Sequence, residues 1–543
     1  MTLYPQRQQS SVYWTEPLES TWQLLGGEAA GELAPKLPHL GLADIVFMSL
    51  VMLLPRVERP WGIVTWMAEV FCLSRPALYA LTERVKQRLL TKPEAAVLLP
   101  AATQAPPIGV TANRLARTVL TISLPCKAAI RPLRQALQEA FDQTRSVGWI
   151  SQLLTEAGQK AGAILRKVDA SPLGTVIVVR DETFIQSQPL LLVVEPVSST
   201  ILLAEVCTDR QAETWAAALL LVQERGVTLG GIVEDMARMY QKSQKEAGLK
   251  LSVQKDVWHI ERDGGKVLRQ LERAAFQATG QVVKLERQLL AQWDETLFME
   301  KYIAAVSQEE QRYEQHAAFA EWLGHLVDAL ELVDWRSGEI RDPVVNGWLL
   351  EETLTAMSHI DYARVQQWVK TLRRHQKQLL TALDWLAASL RPFRQQLAAV
   401  IQPEEQEQFM RTVARHWRLQ QALINGHSSF RRQAQEAEAA LADLIADNEP
   451  TQQMAQALQT LLNAACRASS MIENINGLLQ SFLHNHQAFR NPDTLQLYLN
   501  LFVLWHNMRV YERGKRQGKS PYQWAGIDLG TDDWLSLLGY PAE

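Results

Sequence analysis

One stretch of the chain, residues 174–256, alternates short apolar runs with helical segments in an order that few folds accommodate. Three apolar runs come first, followed by a helical segment, a fourth run, a second helical segment and a fifth run. The runs are 176–179, 190–194, 201–206, 232–233 and 251–253, and the helical segments are 212–225 and 239–247. Continuous apolar runs of this length are typical of strands buried on both faces. The stretch therefore predicts the order β-β-β-α-β-α-β.

The connections between these elements predict how the strands pair. The first three runs follow one another too closely to hold a crossover helix, so they should form an antiparallel meander. The later strands, each separated by a helix, should pair in parallel. The prediction is a mixed five-stranded sheet with helices on both faces, which is the ribonuclease-H-like arrangement. Helical patterns elsewhere make this a multidomain, mainly α protein with an α/β core.

Length and composition set limits on location and partners. At 543 residues, the chain can hold three or four domains of about 150 residues each. The net charge of −4 means that any binding of nucleic acid has to rest on local basic patches. The four cysteines form no CxxC pair, which indicates reduced residues of a cytosolic protein. The N-terminus has no signal-peptide pattern, so we expect a soluble cytoplasmic protein that does not contact a membrane.

Two helix-turn-helix patterns precede the sheet, one within residues 36–92 and one within 111–170. In the first, Ser74 can cap the second helix and Pro76 lies in its first turn. Two such patterns favour tandem DNA-binding domains, preceded by an arm at 1–35 and joined by a linker at 93–110. An ordinary αα-hairpin or an all-helical scaffold remains open. The recognition helices would present Arg75, Tyr79, Thr82, Arg84 and Lys86 in the first unit, and Arg131 and Arg134 in the second.

Residues 264–465 show only helical patterns, rich in Leu, Ala, Gln and Glu. From Val365 to Leu397, apolar residues recur at spacings of 7, 7, 4, 3, 4, 3 and 4, which predicts a coiled-coil-like seam. Pro392 lies within it and should kink or break that helix. We expect an all-helical domain held together by its own core. Its basic faces, such as Arg373 with Arg374, are either solvated or phosphate-binding.

The last segment, residues 466–543, combines an acid on a helix with a basic loop. Glu473 is the acid of an amphipathic helix at 469–483. A later glycine-containing stretch suits a loop that follows a phosphate backbone, because its cations are opposed only by Glu512. Those cations are Arg509, Arg513, Lys515, Arg516 and Lys519.

Three acids form the candidate catalytic set: Asp181 after the first apolar run, Asp235 after the fourth, and Glu473. Cleavage of a phosphodiester is commonly assisted by two divalent ions roughly 4 Å apart, and hard Mg²⁺ prefers carboxylate ligands. Each aspartate has an acidic neighbour, Glu182 or Glu234. Because strand side chains alternate faces, only one of each pair can point at the ions, and we select the aspartates for their shorter stems.

The motifs around these acids are Arg180–Thr183, Gly231–Met236, Asp256–His259, Glu473–Asn476 and Arg513–Tyr522. With them the chain resembles the DDE transposases of the ribonuclease-H-like superfamily, of the bacterial insertion-sequence type, over residues 175–260 and 465–525. The two aspartates are 54 positions apart, which is usual for such cores. Glu473 follows Asp235 by 238 positions, which resembles groups with a domain inserted ahead of the last carboxylate. A Tyr-x2-Arg signature of one bacterial group is absent, since Cys466 and Ser469 stand there.

The resemblance implies a fold, a reaction and partners. A core of 171–263 and 466–543 would be interrupted by a helical insertion at 264–465. Asp181, Asp235 and Glu473 would be catalytic and would hold two Mg²⁺ or Mn²⁺ ions. The protein would bind double-stranded DNA at the terminal repeats of a mobile element, cut it and join the 3′-OH to target DNA. It would act as a homodimer, associated with the nucleoid when bound to DNA.

The role of His259 and the reaction type stay open. His259 could contact the scissile phosphate or flanking DNA as an auxiliary residue, and a structural hydrogen bond explains a lone histidine equally well. A nuclease or Holliday-junction resolvase could use the same three carboxylates without strand transfer. A non-catalytic DNA-binding regulator derived from a transposase would need none of them.

Overall fold

The structure is a computed structural model that describes residues 42–54, 59, 62–91, 110–289, 296–446, 448–486, 489, 491–514 and 516–543. The expected arm at 1–35, linker residues 93–109 and Lys515 lie outside these ranges. The chain divides into two compact units, Met1–Gly109 and Val110–Glu543. Among the described residues, no helix has both the length and the apolar character needed to cross a membrane.

The first unit has the helix-turn-helix order that the sequence predicts. Helices α1 (Leu42–Leu53), α2 (Ile63–Val70) and α3 (Arg75–Thr91) pack around a methionine-rich core that includes Met48, Met52 and Met67. The turn between α2 and α3 contains Cys72 at a φ of 51°, and the Ser74 hydroxyl accepts a hydrogen bond from the amide of Ala77.

The surface of α3 differs in one position from the prediction. Arg75, Tyr79 and Arg84 are exposed. Thr82 is buried and donates its hydroxyl hydrogen bond to the carbonyl of Leu78, so its assignment to the recognition surface is wrong. The side chains of Val85 and Lys86 lie outside the described part of the chain.

The second unit is built on a five-stranded sheet of order β3-β2-β1-β4-β5. β1 pairs antiparallel with β2 and β2 with β3, whereas β1 pairs parallel with β4 and β4 with β5. The predicted ribonuclease-H-like topology is thus confirmed. The strands are β1 (Thr175–Ile185), β2 (Gln188–Glu195), β3 (Thr200–Val206), β4 (Thr228–Glu234) and β5 (Ser252–Lys255).

Helices cover the sheet and share its core. α4 (Ala112–Ser123), α5 (Ile130–Phe141) and α6 (Val147–Leu165) precede β1, and α7 (Ala212–Glu224) and α8 (Arg238–Glu246) flank β4. α18 (Ser470–Asn485) and α19 (Pro492–Met508) follow the insertion. Residues 111–170 are expected to form a separate domain, but α4–α6 are buried in the same hydrophobic core as the sheet.

The outer edge of β3 is paired by amide side chains of α19. The Asn507 amide accepts from the Ile201 N–H and donates to the Ile201 carbonyl. Gln496 does the same for the Val206 N–H and the Ala204 carbonyl. These contacts satisfy backbone groups that would otherwise be open to another strand.

The insertion is all helical, as predicted, and has its own core. Its first helix begins at Val257, directly after β5, rather than near residue 264. The helices are α9 (Val257–Leu289), α10 (Thr296–Ala329), α11 (Pro343–Ser358), α12 (Ala363–Arg374), α13 (Gln376–Leu379), α14 (Thr381–Leu397), α15 (Pro403–Ile424), α16 (Arg431–Ile445) and α17 (Glu449–Ala464); two short helices, α20 (Pro521–Ala525) and α21 (Trp534–Leu537), end the chain.

The apolar seam from Val365 to Leu397 is buried throughout but runs over α12, α13 and α14. The backbone leaves the helix at His375 and Leu380, not at Pro392, which lies inside α14. Pro392 therefore does not break the helix, which was one of the two outcomes expected of it.

Candidate active site at the edge of the sheet

The register of the parallel strands places two of the predicted acids side by side. β1 and β4 pair through Val179 and Val233, and Asp181 and Asp235 each lie two residues further along. Neighbouring strands are about 4.8 Å apart, so the two aspartates occupy equivalent positions at this edge. Asp235 lies one residue beyond β4, and its carboxylate accepts a hydrogen bond from the amide of Ala237 at 2.7 Å.

The same register adds a third aspartate, Asp256, which is not among the three predicted catalytic acids. Glu234 of β4 pairs with Lys255 of β5, so Asp256 is level with Asp235. Asp181, Asp235 and Asp256 thus form one row across three adjacent strands. In the sequence, Asp256 is the first residue of the Asp256–His259 motif and lies three residues after the fifth apolar run.

The preceding row is a buried ion triad of Arg180, Glu234 and Lys255. The Arg180 guanidinium donates to Glu234 Oε2, to the Ser243 hydroxyl and to the Tyr240 carbonyl. The Lys255 ammonium donates to Glu234 Oε1 at 2.8 Å. All three charged side chains are at most 2% exposed. Because strand side chains alternate, this triad lies on the opposite face from the aspartate row.

Glu182 is also engaged on the opposite face. Its carboxylate accepts hydrogen bonds from the Tyr240 hydroxyl and from Arg210. Glu182 and Glu234 therefore both have structural partners, which leaves the aspartates as the acids of the other face.

Asp256 ties the end of β5 to the segment that carries Glu473. It accepts hydrogen bonds from the backbone amide and hydroxyl of Ser469, the residue preceding α18. The Val257 amide donates to the carbonyl of Arg467 at 3.0 Å. These bonds join positions more than two hundred residues apart in sequence and fix where α18 begins.

Glu473 lies in the first turn of α18, close to the aspartate row. Its Oε1 is 3.9 Å from Nε2 of His259. Three residues later, the Asn476 amide donates to Asp181 Oδ2 at 3.2 Å. The distant segment predicted to return to this sheet edge does so.

His259 lies in the first turn of α9. Its Nδ1 is 2.7 Å from Asp256 Oδ2, and its Nε2 faces Glu473. Burial alone would lower the pKa of His259, but the Asp256 carboxylate raises it above its ordinary value. The pKa of Asp256 is lowered despite burial, because His259 and Ser469 donate hydrogen bonds to it.

The pKa of Asp181 indicates that negative charge at the site exceeds positive charge. Burial and the neighbouring carboxylates of Glu473 and Glu182 raise the pKa of Asp181 to about 7, and His259 offsets only part of this. A carboxylate in such surroundings is stabilised in its charged form by any cation that reaches it.

The chemistry of the donors fits a hard divalent cation. The site offers the carboxylates of Asp181 and Glu473. It also offers the side-chain amide oxygen of Asn476, Oδ1, which is buried and has no hydrogen-bond partner. Oxygen ligands of this kind suit Mg²⁺. As the side chains stand, no three His, Cys, Asp or Glu groups in the described part of the chain enclose a metal position. The donor types therefore fit an ion, and their present spacing is not that of a closed site.

The cations of the C-terminal segment have different roles. Arg516 donates to the carbonyls of Val197 and Pro196 at 2.7 and 2.6 Å, so it anchors the segment to the β2–β3 turn and its assignment to DNA is wrong. The guanidinium of Arg509 is half-buried and lies over the Trp505 ring. Arg513 and Lys519 are exposed, as are Arg131 and Arg134 on α5.

Comparisons with known proteins add little to this geometry. No family model matches the chain, and no curated protein is significantly similar to it. Among solved structures, a chain of the Drosophila P element transposase strand transfer complex aligns with 78% of this chain and 98% of its own length. The identity is 11% and the TM-score 0.33, a likeness too slight to support a conclusion about function.

Proposed function

We propose that this protein is a DDE-type DNA transposase. Asp181, Asp235 and Glu473 would be its catalytic acids, and double-stranded DNA its substrate. The observation that carries the proposal is the return of α18 to the sheet edge, where Asn476 bonds Asp181 and Glu473 faces His259. A purely structural helix would have no need to bring Glu473 next to the partly buried Asp181, because like charges held away from water destabilise each other.

The three acids would hold two Mg²⁺ or Mn²⁺ ions, with the side-chain oxygen of Asn476 as a further donor. When bound, such ions activate water and neutralise the leaving oxygen of a phosphodiester. Asp256 holds the His259 ring with Nε2 directed toward the site. A protonated His259 would stabilise an incoming phosphate, which is the auxiliary role we assign to it.

Exposed residues that lie away from the three acids would bind the DNA. In the first unit these are Arg75, Tyr79 and Arg84 on α3, in the position of a recognition helix. In the second unit, exposed arginines and lysines suit phosphate contacts, which position DNA without reading its sequence. They are Arg131, Arg134, Arg513 and Lys519.

The test uses the full-length protein with linear DNA fragments taken from either side of its own coding sequence, in buffer with Mg²⁺. We expect cut fragments and joined products on a target plasmid. Asp181→Asn should abolish both while fragment binding in a gel-shift assay persists, because the substitution removes one carboxylate only. Asp443→Asn, on the exposed surface of α16, is the matched control and should cut normally.

Each alternative predicts a different product. Cutting without joining would assign the protein to the nucleases or resolvases. Binding without cutting by the wild type would make it a DNA-binding regulator. Undiminished cutting by the Asp181→Asn variant would refute the catalytic assignment.

A further inference from the structure

The segment that carries Glu473 to the sheet edge begins with a short connector, residues 465–469, between α17 and α18. Glu473 is the fourth residue of α18, one helical turn beyond this connector. Its side chain is 37% exposed, and Nε2 of His259 lies 3.9 Å from its carboxylate. Because so much of the side chain is open to solvent, the place of the carboxylate depends on where the backbone of α18 begins.

The first turn of α18 is made without a side-chain cap. Ser469 precedes the helix, and a serine at that position ordinarily accepts a hydrogen bond from an amide of the first turn. Within residues 469–473, all of which the structure describes, no such bond is made. The Ser469 hydroxyl donates to Asp256 instead. The start of α18 therefore depends on the contacts of the connector.

Arg467 makes these contacts with the insertion. Its guanidinium donates to the carbonyl of Leu330 at 3.1 Å and pairs with Glu331 at 2.9 Å. Both partners immediately follow α10, where the negative end of the helix dipole also favours a cation. The backbone carbonyl of Arg467 accepts a hydrogen bond from the amide of Val257, the first residue of α9. One residue of the connector thus binds both long helices of the insertion.

The ion pair belongs to a partly buried network of four charged side chains. Glu331 also accepts a hydrogen bond from Arg418 of α15 at 2.8 Å, and Glu261 of α9 lies 4.0 Å from Arg467. Glu331, Arg418 and Arg467 are each at most 24% exposed. Burial raises the pKa of Glu261, and Arg467 offsets part of this rise. The two arginines and two glutamates balance in charge, so the network holds the connector without an uncompensated buried ion.

We propose that Arg467 is a positioning residue for Glu473. It holds the connector against the start of α9 and the end of α10, so that the first turn of α18 forms with Glu473 close to Asp181. The insertion thereby helps to build the catalytic edge, in addition to separating its parts in sequence. This role rests on the proposed function, in which Glu473 is a catalytic acid and a metal ligand.

The first test is hydrogen exchange of the full-length protein, which requires neither DNA nor a metal ion. Arg467→Met keeps a long side chain, removes the charge and leaves Glu331 paired with Arg418. We expect exchange in a peptide covering the first turn of α18 to become at least about tenfold faster, because local opening of that turn becomes easier. Unchanged exchange in that turn would overturn the proposal.

Arg341→Met is the matched control. Arg341 is 15% exposed and pairs with Asp328 and Asp334, near the same end of α10, and both of these partners belong to the insertion. The control should leave exchange in α18 at the wild-type rate. Equal acceleration by Arg341→Met and Arg467→Met would reduce the effect to a general loss of stability and refute a specific role for Arg467.

The second test relates the connector to the acids of the site. Binding of Mn²⁺ to the protein without DNA can be followed by electron paramagnetic resonance. Arg467→Met should weaken binding at least about tenfold, as is usual when the support of a metal ligand is removed. Arg467→Lys should weaken it less, because it keeps the charge opposite Glu331 but loses the planar fork. Arg341→Met should bind Mn²⁺ like the wild type, and an unchanged affinity in Arg467→Met would refute the positioning role.

The two measurements distinguish this proposal from the proposed function. A wild type that binds no Mn²⁺ would count against the three acids as a metal site, and hydrogen exchange would still decide whether Arg467 fixes the start of α18. If Arg467→Met does not fold, Arg467→Lys serves in both measurements. Its exchange in the first turn of α18 and its Mn²⁺ affinity should then lie between those of the wild type and a protein without the contact, and wild-type values in both would overturn the proposal.

Discussion

Substitution of Glu234 by glutamine should destabilise the second unit more than any change to a surface ion pair. Glu234 is the only acid between two cations, and its side chain is 1% exposed. The variant keeps the shape of the side chain but leaves Arg180 and Lys255 buried with no negative charge between them. Breaking a buried ion pair by removing one partner costs about 3–5 kcal/mol.

The measurement is urea unfolding, together with hydrogen exchange of peptides spanning β4 and β5. Glu213→Gln is the matched control, because Glu213 pairs with Lys242 at 2.7 Å while both side chains are more than half exposed. Exposed pairs of this kind contribute little to stability, because water screens the two charges. We expect a large fall in the unfolding midpoint and faster exchange in β4 and β5 only for Glu234→Gln.

A third variant separates charge from packing. Replacing all three members together, as Arg180→Met, Glu234→Leu and Lys255→Met, removes the uncompensated charge and should cost less than Glu234→Gln alone. The reasoning is refuted if Glu234→Gln and Glu213→Gln shift the midpoint equally.

Three further predictions concern stability. Burial lowers the pKa of His506 to about 3, so the contribution of the neutral ring to the free energy of unfolding is complete above the ordinary pKa of about 6.5 and is lost as the pH falls below it. By pH 5 the protein should have lost about 2 kcal/mol of stability through this group. Urea unfolding of His506→Gln should lack this pH-dependent part. Gly231→Ala places a Cβ against the Trp385 ring and should lower the free energy of unfolding by about 1–3 kcal/mol. Gly477→Ala is the control, because its added Cβ meets open space, and thermal unfolding of this variant should show no loss of stability. Asn507→Leu leaves backbone groups of β3 unpaired and should cost about 1–3 kcal/mol, with faster hydrogen exchange confined to that edge; unchanged exchange there would contradict it.

Much of the sheet could be predicted because its strands are apolar on both faces. The same reasoning placed the end of the first strand too early. β1 continues through Arg180 to Ile185, and a charged residue in a strand resembles a strand end unless its buried partner is known. The partner, Glu234, is 54 residues away in sequence, so no local pattern shows it.

The candidate site was predicted in its residue types and only partly in its arrangement. The two aspartates could be selected because they follow apolar runs, and Glu473 because it is the acid of an amphipathic helix. The bonds from Ser469 to Asp256 could not, since they join a loop and a strand end that no periodicity relates. Arg516 was misassigned for a similar reason: a basic, glycine-containing stretch has the same composition whether its arginine faces solvent or binds backbone carbonyls.

The bond between Asp256 and Ser469 has a consequence for synthesis of the chain. The ribosome makes five strands first and more than two hundred residues of insertion next, and only then the segment that brings in the last acid. A nascent chain therefore has all five strands of the sheet before Ser469 and Glu473 are made. A product that stopped within the insertion would leave Asp256 without the hydrogen bonds that Ser469 donates, and it would lack Glu473.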